Sequence, residues 1–157
     1  MTPSPKLRVL LVCMGNICRS PTAEGVLRQR LEAAGLGRQV DVDSAGTGGW
    51  HAGEPPDARA QRHALKRGYD LSKQRARRVV EADFERFDLV LAMDEDNLAE
   101  LRRLEPADAR AEVRLFAGRE VPDPYHGGAQ GFENVLDQIE AASDALVAEM
   151  RRRLGTS

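Results

Sequence analysis

The feature that most restricts the fold is a buried strand that runs directly into a short loop and then a helix. Residues 6–13, KLRVLLVC, form an aliphatic and β-branched run that is typical of a buried strand. Gly15 and Asn16 end this run, and Ser20-Pro21 then supplies a predicted helix N-cap followed by proline at the first helical position. A strand, a tight loop and a helix therefore follow one another at the start of the chain.

Strand and helix patterns alternate along the rest of the chain. Three further strands are predicted, at residues 40–44, 88–93 and 113–116. Three further helices are predicted, at residues 57–67, after the capping residue Asp94, and over residues 132–150. Such alternation implies right-handed crossovers and a parallel sheet covered on both faces. The predicted fold is α/β, a Rossmann-like three-layer sandwich with a four-stranded parallel sheet and helices on both faces.

Length and composition restrict the class of protein. A chain of 157 residues is expected to form one domain over residues 1–157. The net charge of -2 argues against a nucleic-acid partner, and no apolar run is long enough to cross a membrane. The short apolar stretch near the N-terminus is too brief for a signal peptide, and the two cysteines cannot form a disulfide scaffold. A cytoplasmic location is expected.

A thiol and a guanidinium lie at the two ends of the loop after the first strand. Cys13 ends the strand, and Arg19 follows six positions later, immediately before the helix. A loop of this length can turn its backbone N–H groups inward, where the positive end of the helix helps them to bind a tetrahedral dianion. The other residues expected to form this phosphate-binding loop are Met14, Gly15, Asn16, Ile17, Cys18 and Ser20.

Each residue type in this loop has a physical use in phosphoryl transfer. The field that attracts phosphate also favours the thiolate of Cys13, and Ser20 could donate its hydroxyl to that thiolate. Asn16 tolerates a left-handed backbone, and Arg19 supplies a planar fork for two phosphoryl oxygens. The loop predicts a phosphatase with a cysteine nucleophile; the alternative is that Cys13 and Arg19 are two buried structural residues.

Together with segments farther along, this loop resembles the low-molecular-weight protein tyrosine phosphatases. The matching residues are VCMGNICRSP at 12–21, SAGT at 44–47 with Trp50, DARA at 57–60, DF at 83–84, LAMD at 91–94 and DPY at 123–125. The resemblance covers nearly the whole chain. It implies hydrolysis of phosphotyrosine through a phospho-cysteine intermediate, with Cys13 as nucleophile, Arg19 as ligand of the phosphate and transition state, and Asp123 as general acid.

The position of Asp123 also favours an acid/base role, because it follows the fourth predicted strand in a loop stiffened by two prolines. The alternative is that Asp123 only begins a turn. Trp50 and Tyr125 are expected to be the facing walls of an aromatic pocket, although Trp50 could instead fold back into the core. The family often has a second aromatic residue after the tyrosine, but this chain has His126, which leaves substrate preference open.

Cys18 is a candidate redox partner of Cys13, a role that the family resemblance supports, and its alternative is a small buried hydrophobe. His51, His63 and His126 lack metal-ligand spacing and are expected to be solvated, so no metal or other cofactor is predicted. The expected partner is a phosphotyrosine-containing protein, and the expected state is a monomer or weak dimer. Neither a nucleic-acid nor a membrane partner is expected.

Three alternative functions use the same fold or loop. Thioredoxin-coupled arsenate reductases need further cysteines, and none follows Cys18 here. Protein-arginine phosphatases tend to have threonine before the second cysteine, where this chain has Ile17. An inactive module that only binds phosphorylated partners would not need Cys13, Arg19, Ser20 and Asp123 together.

Overall fold

The structure is a computed structural model that describes residues 5–124 and 128–155. Within these ranges the strands form one sheet from β1 (Leu7–Cys13), β2 (Val40–Gly46), β3 (Leu89–Ala92) and β4 (Glu112–Leu115). The strand order is β2-β1-β3-β4, and every neighbouring pair is parallel. The prediction of a four-stranded parallel sheet is confirmed.

The helices of the described chain are α1 (Arg19–Ala33), α2 (Ala58–Lys66), α3 (Asp83–Arg86), α4 (Glu95–Leu104) and α5 (Ala129–Leu154). Alternate residues of β1 face opposite sides of the sheet, as the two-residue period of a strand requires. Val9 and Leu11 pack in the core under α1 and α5, whereas Leu10 and Val12 pack with Phe84 and Leu101 on the other side. Helices therefore cover both faces, and the predicted three-layer architecture is confirmed.

The start of α1 differs from the prediction that Ser20 would be its N-cap. The N-cap position is Cys18, no side chain caps the helix there, and Ser20 is the second helical residue. Ser20 is fully buried, and its hydroxyl is directed at Cys13 instead of at a helix N–H group. The first backbone N–H groups of α1 are consequently left without a side-chain cap, which suits a helix end that binds an anion.

The bounds of α2 and α4 agree closely with the sequence patterns, whereas the short helix α3 was not predicted. Asp57 caps α2 by accepting hydrogen bonds from the backbone N–H groups of Arg59 and Ala60. Asp94 caps α4 by accepting from Asn97 N, as its position predicted. The C-terminal helix α5 is longer than its apolar pattern indicated and begins at Ala129. In the described part of the chain, no helix combines the length and apolar character that a membrane span requires.

Candidate active site

The phosphate-binding loop predicted from the sequence lies at the carboxyl end of β1, the central position where ligands bind in open parallel sheets. The loop after β2 packs directly against it. Thr47 N donates to Cys13 O at 2.9 Å, and Gly48 N donates to Met14 O at 3.0 Å. Gly46 makes this approach possible, because a Cβ at that position would lie 2.7 Å from Met14 O. The backbone shape of the catalytic loop therefore depends on β2.

The thiol of Cys13 lies at the base of a cavity of about 210 Å³ and is 3% exposed. Asn16 N donates to Cys13 Sγ at 3.3 Å, and Ser20 Oγ lies 3.0 Å from the same sulfur. Hydrogen bonds to sulfur favour its negatively charged form. The structure thus brings Ser20 to Cys13, as the sequence predicted.

Asn16 holds the shape of the loop from its centre. Its backbone is left-handed, with φ of 58°, as predicted for asparagine at this position. The side-chain Nδ2 donates to Ser20 Oγ at 2.8 Å and to Ser44 Oγ at 3.0 Å. The side-chain Oδ1 accepts from Arg77 N at 2.9 Å. One buried amide therefore connects the loop to α1, to β2 and to the segment before α3.

Arg19 is buried at the other end of the loop, where it is 3% exposed. Its Nη1 donates to Asp94 Oδ2 at 2.7 Å and to Val121 O at 3.0 Å. Burial by itself lowers the pKa of Arg19, but the charges of Cys13, Asp94 and Asp123 outweigh it and raise the pKa above its ordinary value. The guanidinium is thus held through Nη1, and no local sequence pattern indicated Asp94 as its partner.

Asp123 lies in the segment after β4, and its side chain lines the same cavity as Cys13 and Arg19. The carboxyl Oδ2 is 3.9 Å from Arg19 Nη2, and the side chain is 39% exposed. The carboxyl group thus shares the cavity with the thiol and remains accessible to water. The structure therefore brings the three residues predicted as catalytic to one cavity.

Cys18 is a buried free thiol at the start of α1. It packs with Ala60 and Phe132, and Ile17 lies against the same cluster. Burial, followed by the negative charges of Asp57 and Cys13, raises the pKa of the Cys18 thiol far above its ordinary value. Cys18 is consequently held in the thiol form.

The cavity lining differs from the aromatic walls that the sequence suggested. Its described lining consists of Cys13, Met14, Gly15, Ile17, Cys18, Arg19, His51 and Asp123. Trp50 is 70% exposed, and its ring lies so close to Gly48 that a Cβ there would overlap with it. Trp50 is not part of this lining, and its role as a wall of the pocket stays a prediction. Tyr125 and His126 lie outside the described residues.

The expectation that all three histidines are solvated is wrong for His51 and His63. The His51 ring lines the cavity and lies against Gly15, where a Cβ would be 3.0 Å from His51 Cδ2. His63 is only 14% exposed, because its Nδ1 contacts Glu133 Oε2 at 2.5 Å and its ring stacks on Phe132. Packing between α2 and α5 buries His63, and no local pattern around a lone histidine signals such a contact.

The fold and the thiol, guanidinium and carboxyl groups of one cavity are those of the phosphatase class that the sequence predicted. A family model described as low molecular weight phosphotyrosine protein phosphatase matches residues 8–155. The chain belongs to this family, and its activity class is that of a protein-tyrosine phosphatase.

Similar proteins support this assignment. A low molecular weight protein-tyrosine-phosphatase from Streptomyces coelicolor is 49% identical, over 94% of this chain and 95% of the relative. The crystal structure of a protein tyrosine phosphatase from Entamoeba histolytica superimposes with a TM-score of 0.89 at 37% identity, covering 93% of this chain and 97% of that one. A Drosophila arginine phosphatase superimposes with a TM-score of 0.85 at 31% identity, covering 92% and 98%.

Proposed function

We propose that this phosphatase hydrolyses phosphotyrosine in protein substrates in two steps, through a phosphate ester on Cys13. The observation that carries the proposal is the contact of Cys13 Sγ with Asn16 N and Ser20 Oγ, at the base of a cavity that Arg19 and Asp123 also line. A thiol that accepts hydrogen bonds and lies beside a guanidinium able to bind phosphate is suited to attack on phosphorus.

In the first step, the phosphoryl group binds to the inward N–H groups of the loop and to Arg19. Asp94 and Val121 O occupy Nη1, so the edge formed by Nε and Nη2 is the one suited to a bidentate contact with two phosphoryl oxygens. The Cys13 thiolate forms a bond to phosphorus while the bond from phosphorus to the tyrosyl oxygen breaks. Asp123 gives its proton to the departing phenolate.

In the second step, water attacks the phosphorus of phospho-Cys13. Asp123, now a carboxylate, takes a proton from this water as general base. The sulfur–phosphorus bond breaks, inorganic phosphate is released and the thiolate is restored. The hydroxyl of Ser20 donates to the departing sulfur, which stabilises the charge that develops there.

The depth of Cys13 in the cavity supports a preference for phosphotyrosine over phosphoserine. Cys13 is 3% exposed, so a substrate must extend through the cavity to reach its sulfur. The length of a phenyl ring suits this reach better than the short stem of phosphoserine. We also propose Trp50 and Tyr125 as outer walls around the ring, a single domain over the whole chain, and a monomer or weak dimer in solution.

The test is hydrolysis of p-nitrophenyl phosphate with EDTA present by the wild-type protein and by Cys13→Ser. We expect the variant to lose all measurable turnover, because a serine hydroxyl has no comparable nucleophilicity in this loop. Cys18→Ser serves as the matched control and should retain most of the rate. Wild-type turnover by Cys13→Ser would contradict the mechanism.

A second candidate function is hydrolysis of phosphoarginine, because the arginine phosphatase described above shares the fold. Ile17 lines the cavity, and its bulk favours the tyrosine substrate. Peptides carrying phosphotyrosine, phosphoserine or phosphoarginine, compared by kcat/KM, separate these functions. Faster hydrolysis of phosphoarginine would reverse the order of the two candidates.

A further inference from the structure

Glu24 is a buried acidic residue that the proposed chemistry does not use directly. It lies on α1, one turn after Ser20, and is 7% exposed. Its Oε1 accepts a hydrogen bond from Ser44 Oγ at 2.8 Å, and its Oε2 accepts from Arg28 Nε at 3.0 Å. Burial raises the pKa of Glu24, whereas the contacts with Ser44 and Arg28 oppose that change. A carboxyl group that is costly to bury therefore occupies a defined place behind the catalytic loop.

An unbroken series of hydrogen bonds connects this carboxyl group to the nucleophile. Ser44 Oγ, bonded to Glu24, accepts from Asn16 Nδ2 at 3.0 Å. The same amide nitrogen donates to Ser20 Oγ at 2.8 Å, and Ser20 Oγ is 3.0 Å from Cys13 Sγ. All five residues are buried, with Glu24 the most exposed at 7%, so water does not readily replace any member of the series.

The donors and acceptors in this series can be assigned from chemistry. The N–H of Arg77 donates to Asn16 Oδ1, which sets the orientation of the amide and makes Nδ2 the donor to both serines. An ionised carboxylate can only accept, so the hydrogen of Ser44 is directed at Glu24. The oxygen of Ser44 is then available to accept from Asn16.

The same reasoning applies to Ser20 at the other end. Its oxygen already accepts from Asn16, so its hydrogen is available for Cys13 Sγ at 3.0 Å. A second acceptor, Ala45 O, is farther away at 3.5 Å. The polarity of the whole series therefore directs the hydroxyl hydrogen of Ser20 to the sulfur.

We propose that Glu24 is a positioning residue for the nucleophile: its carboxylate orients Ser44, and through Asn16 it orients the Ser20 hydroxyl that stabilises the Cys13 thiolate. This proposal rests on the proposed function, in which Cys13 is the nucleophile. The proposed function and the positioning role can fail separately. Hydrolysis by Cys13→Ser would contradict the function, whereas the positioning role is tested by the reactivity of Cys13 in variants that retain this cysteine.

The first experiment compares the wild-type protein with Glu24→Gln. The rate of Cys13 alkylation by iodoacetamide is followed by mass spectrometry across a range of pH. We expect the midpoint of this profile to rise by about 0.5–1 pH unit, because a weaker hydrogen bond to a charged group costs on the order of 1 kcal/mol. The value of kcat should fall about three- to tenfold, with KM changed less than about twofold, because the departing thiolate is less stabilised.

Glu32→Gln is the matched control, since Glu32 is an exposed glutamate on the same helix and its replacement makes the same change in charge. We expect its alkylation profile and kcat to equal those of the wild-type protein. An equal shift in Glu32→Gln would attribute the effect to net charge and would overturn the proposal.

The second experiment places Glu24→Gln in a Ser44→Ala background. If Glu24 acts through Ser44, the double variant should have the same alkylation midpoint as Ser44→Ala alone. Additive shifts, or a lower melting temperature of Glu24→Gln with an unchanged midpoint, would overturn the positioning role. Should Glu24→Gln fail to fold, Ser44→Ala alone breaks the same series, and an unshifted midpoint in that variant would equally overturn it.

Discussion

The buried Arg19 and the partly exposed Asp94 form an ion pair in which Nη1 and Oδ2 are 2.7 Å apart, although 75 positions separate the two residues in the chain. The second carboxylate oxygen of Asp94 accepts from Asn97 N at 2.8 Å and thereby caps α4. One carboxylate thus caps α4 and also orients the guanidinium that is proposed to bind phosphate. Both contacts are possible because Asp94 follows β3, which is the neighbour of β1 in the sheet.

Replacement of Asp94 by asparagine should separate these roles. Asparagine is an equally good N-cap, so the melting temperature should change by only a few degrees. The charged contact with Arg19 is lost, and we expect kcat/KM for p-nitrophenyl phosphate to fall about tenfold. Asp96→Asn, an exposed change in the first turn of the same helix, is the control and should leave kcat/KM unaltered. Equal rates for both variants would mean that Arg19 needs no partner.

Asp123→Asn should slow formation of phospho-Cys13 in a way that depends on the leaving group. Single-turnover release of a poor leaving group such as phenolate should fall about 100-fold or more, because its departure needs a proton. Release of p-nitrophenolate, which leaves without one, should fall much less. Asp108→Asn, an exposed carboxylate remote from the cavity lining, provides the control. Equal losses with both leaving groups would contradict the role of general acid.

Gly46→Ala should damage the catalytic loop without a change of charge. A Cβ at this position would lie 2.7 Å from Met14 O and 3.2 Å from Asn16 N, and backbone atoms cannot move away as a flexible side chain can. We expect kcat to fall by at least about tenfold. Gly131→Ala is the matched control, because no heavy atom lies within 4 Å of its Cβ and the site is helical. That change should raise stability by about 0.5–1 kcal/mol and leave kcat unchanged.

Cys18→Ser tests the redox role that the family resemblance suggested. If oxidised Cys13 forms a disulfide with Cys18, the disulfide protects Cys13 from irreversible oxidation. Activity after peroxide and then thiol treatment should therefore recover less fully in Cys18→Ser than in the wild-type protein. The raised pKa of Cys18 predicts that this protection becomes faster as pH increases, because the thiolate is the attacking form. Equal recovery of the two proteins would remove the redox role.

Tyr69 should make stability fall at alkaline pH. Its hydroxyl donates to Glu140 Oε2 at 2.6 Å, and burial together with this carboxylate raises the pKa of Tyr69 from 10.0 to about 12. Because the folded state holds the proton more tightly, the contribution is complete below pH 10 and is lost as pH rises through 12. Urea unfolding should show Tyr69→Phe to be less stable by roughly 1 kcal/mol near pH 8, with the difference shrinking above pH 10. A difference independent of pH would contradict the linkage.

The catalytic loop was predictable from the sequence because its chemistry and its local structure coincide. Cys13, Asn16, Arg19 and Ser20 lie within eight consecutive positions, between an apolar strand and a helix start. The backbone therefore brings them together whatever the rest of the chain does. Asp123 was assigned from its place after the last strand and from the family resemblance, and its lining of the same cavity agrees with that assignment.

Contacts between segments distant in the chain were not predictable in this way. The local pattern around Asp94 predicts only a helix cap, and Glu24 looks like any acidic residue on an amphipathic helix. His51 gave no sign that its ring lies against Gly15. These partners depend on which strand ends are neighbours, and the order β2-β1-β3-β4 is a property of the folded sheet.

The sequence by itself thus determined the α/β class and the four parallel strands, and it indicated the proposed nucleophile, because strand and helix periodicity and a contiguous loop are local properties. Only the tertiary structure decided how that nucleophile is supported: Asp94 behind Arg19, and Glu24 and Ser44 behind Asn16 and Ser20. The physical reason is that a buried polar group needs a hydrogen-bond partner, and here that partner comes from another element of the fold. Such a partner is chosen by packing between elements, which no single segment of the chain encodes.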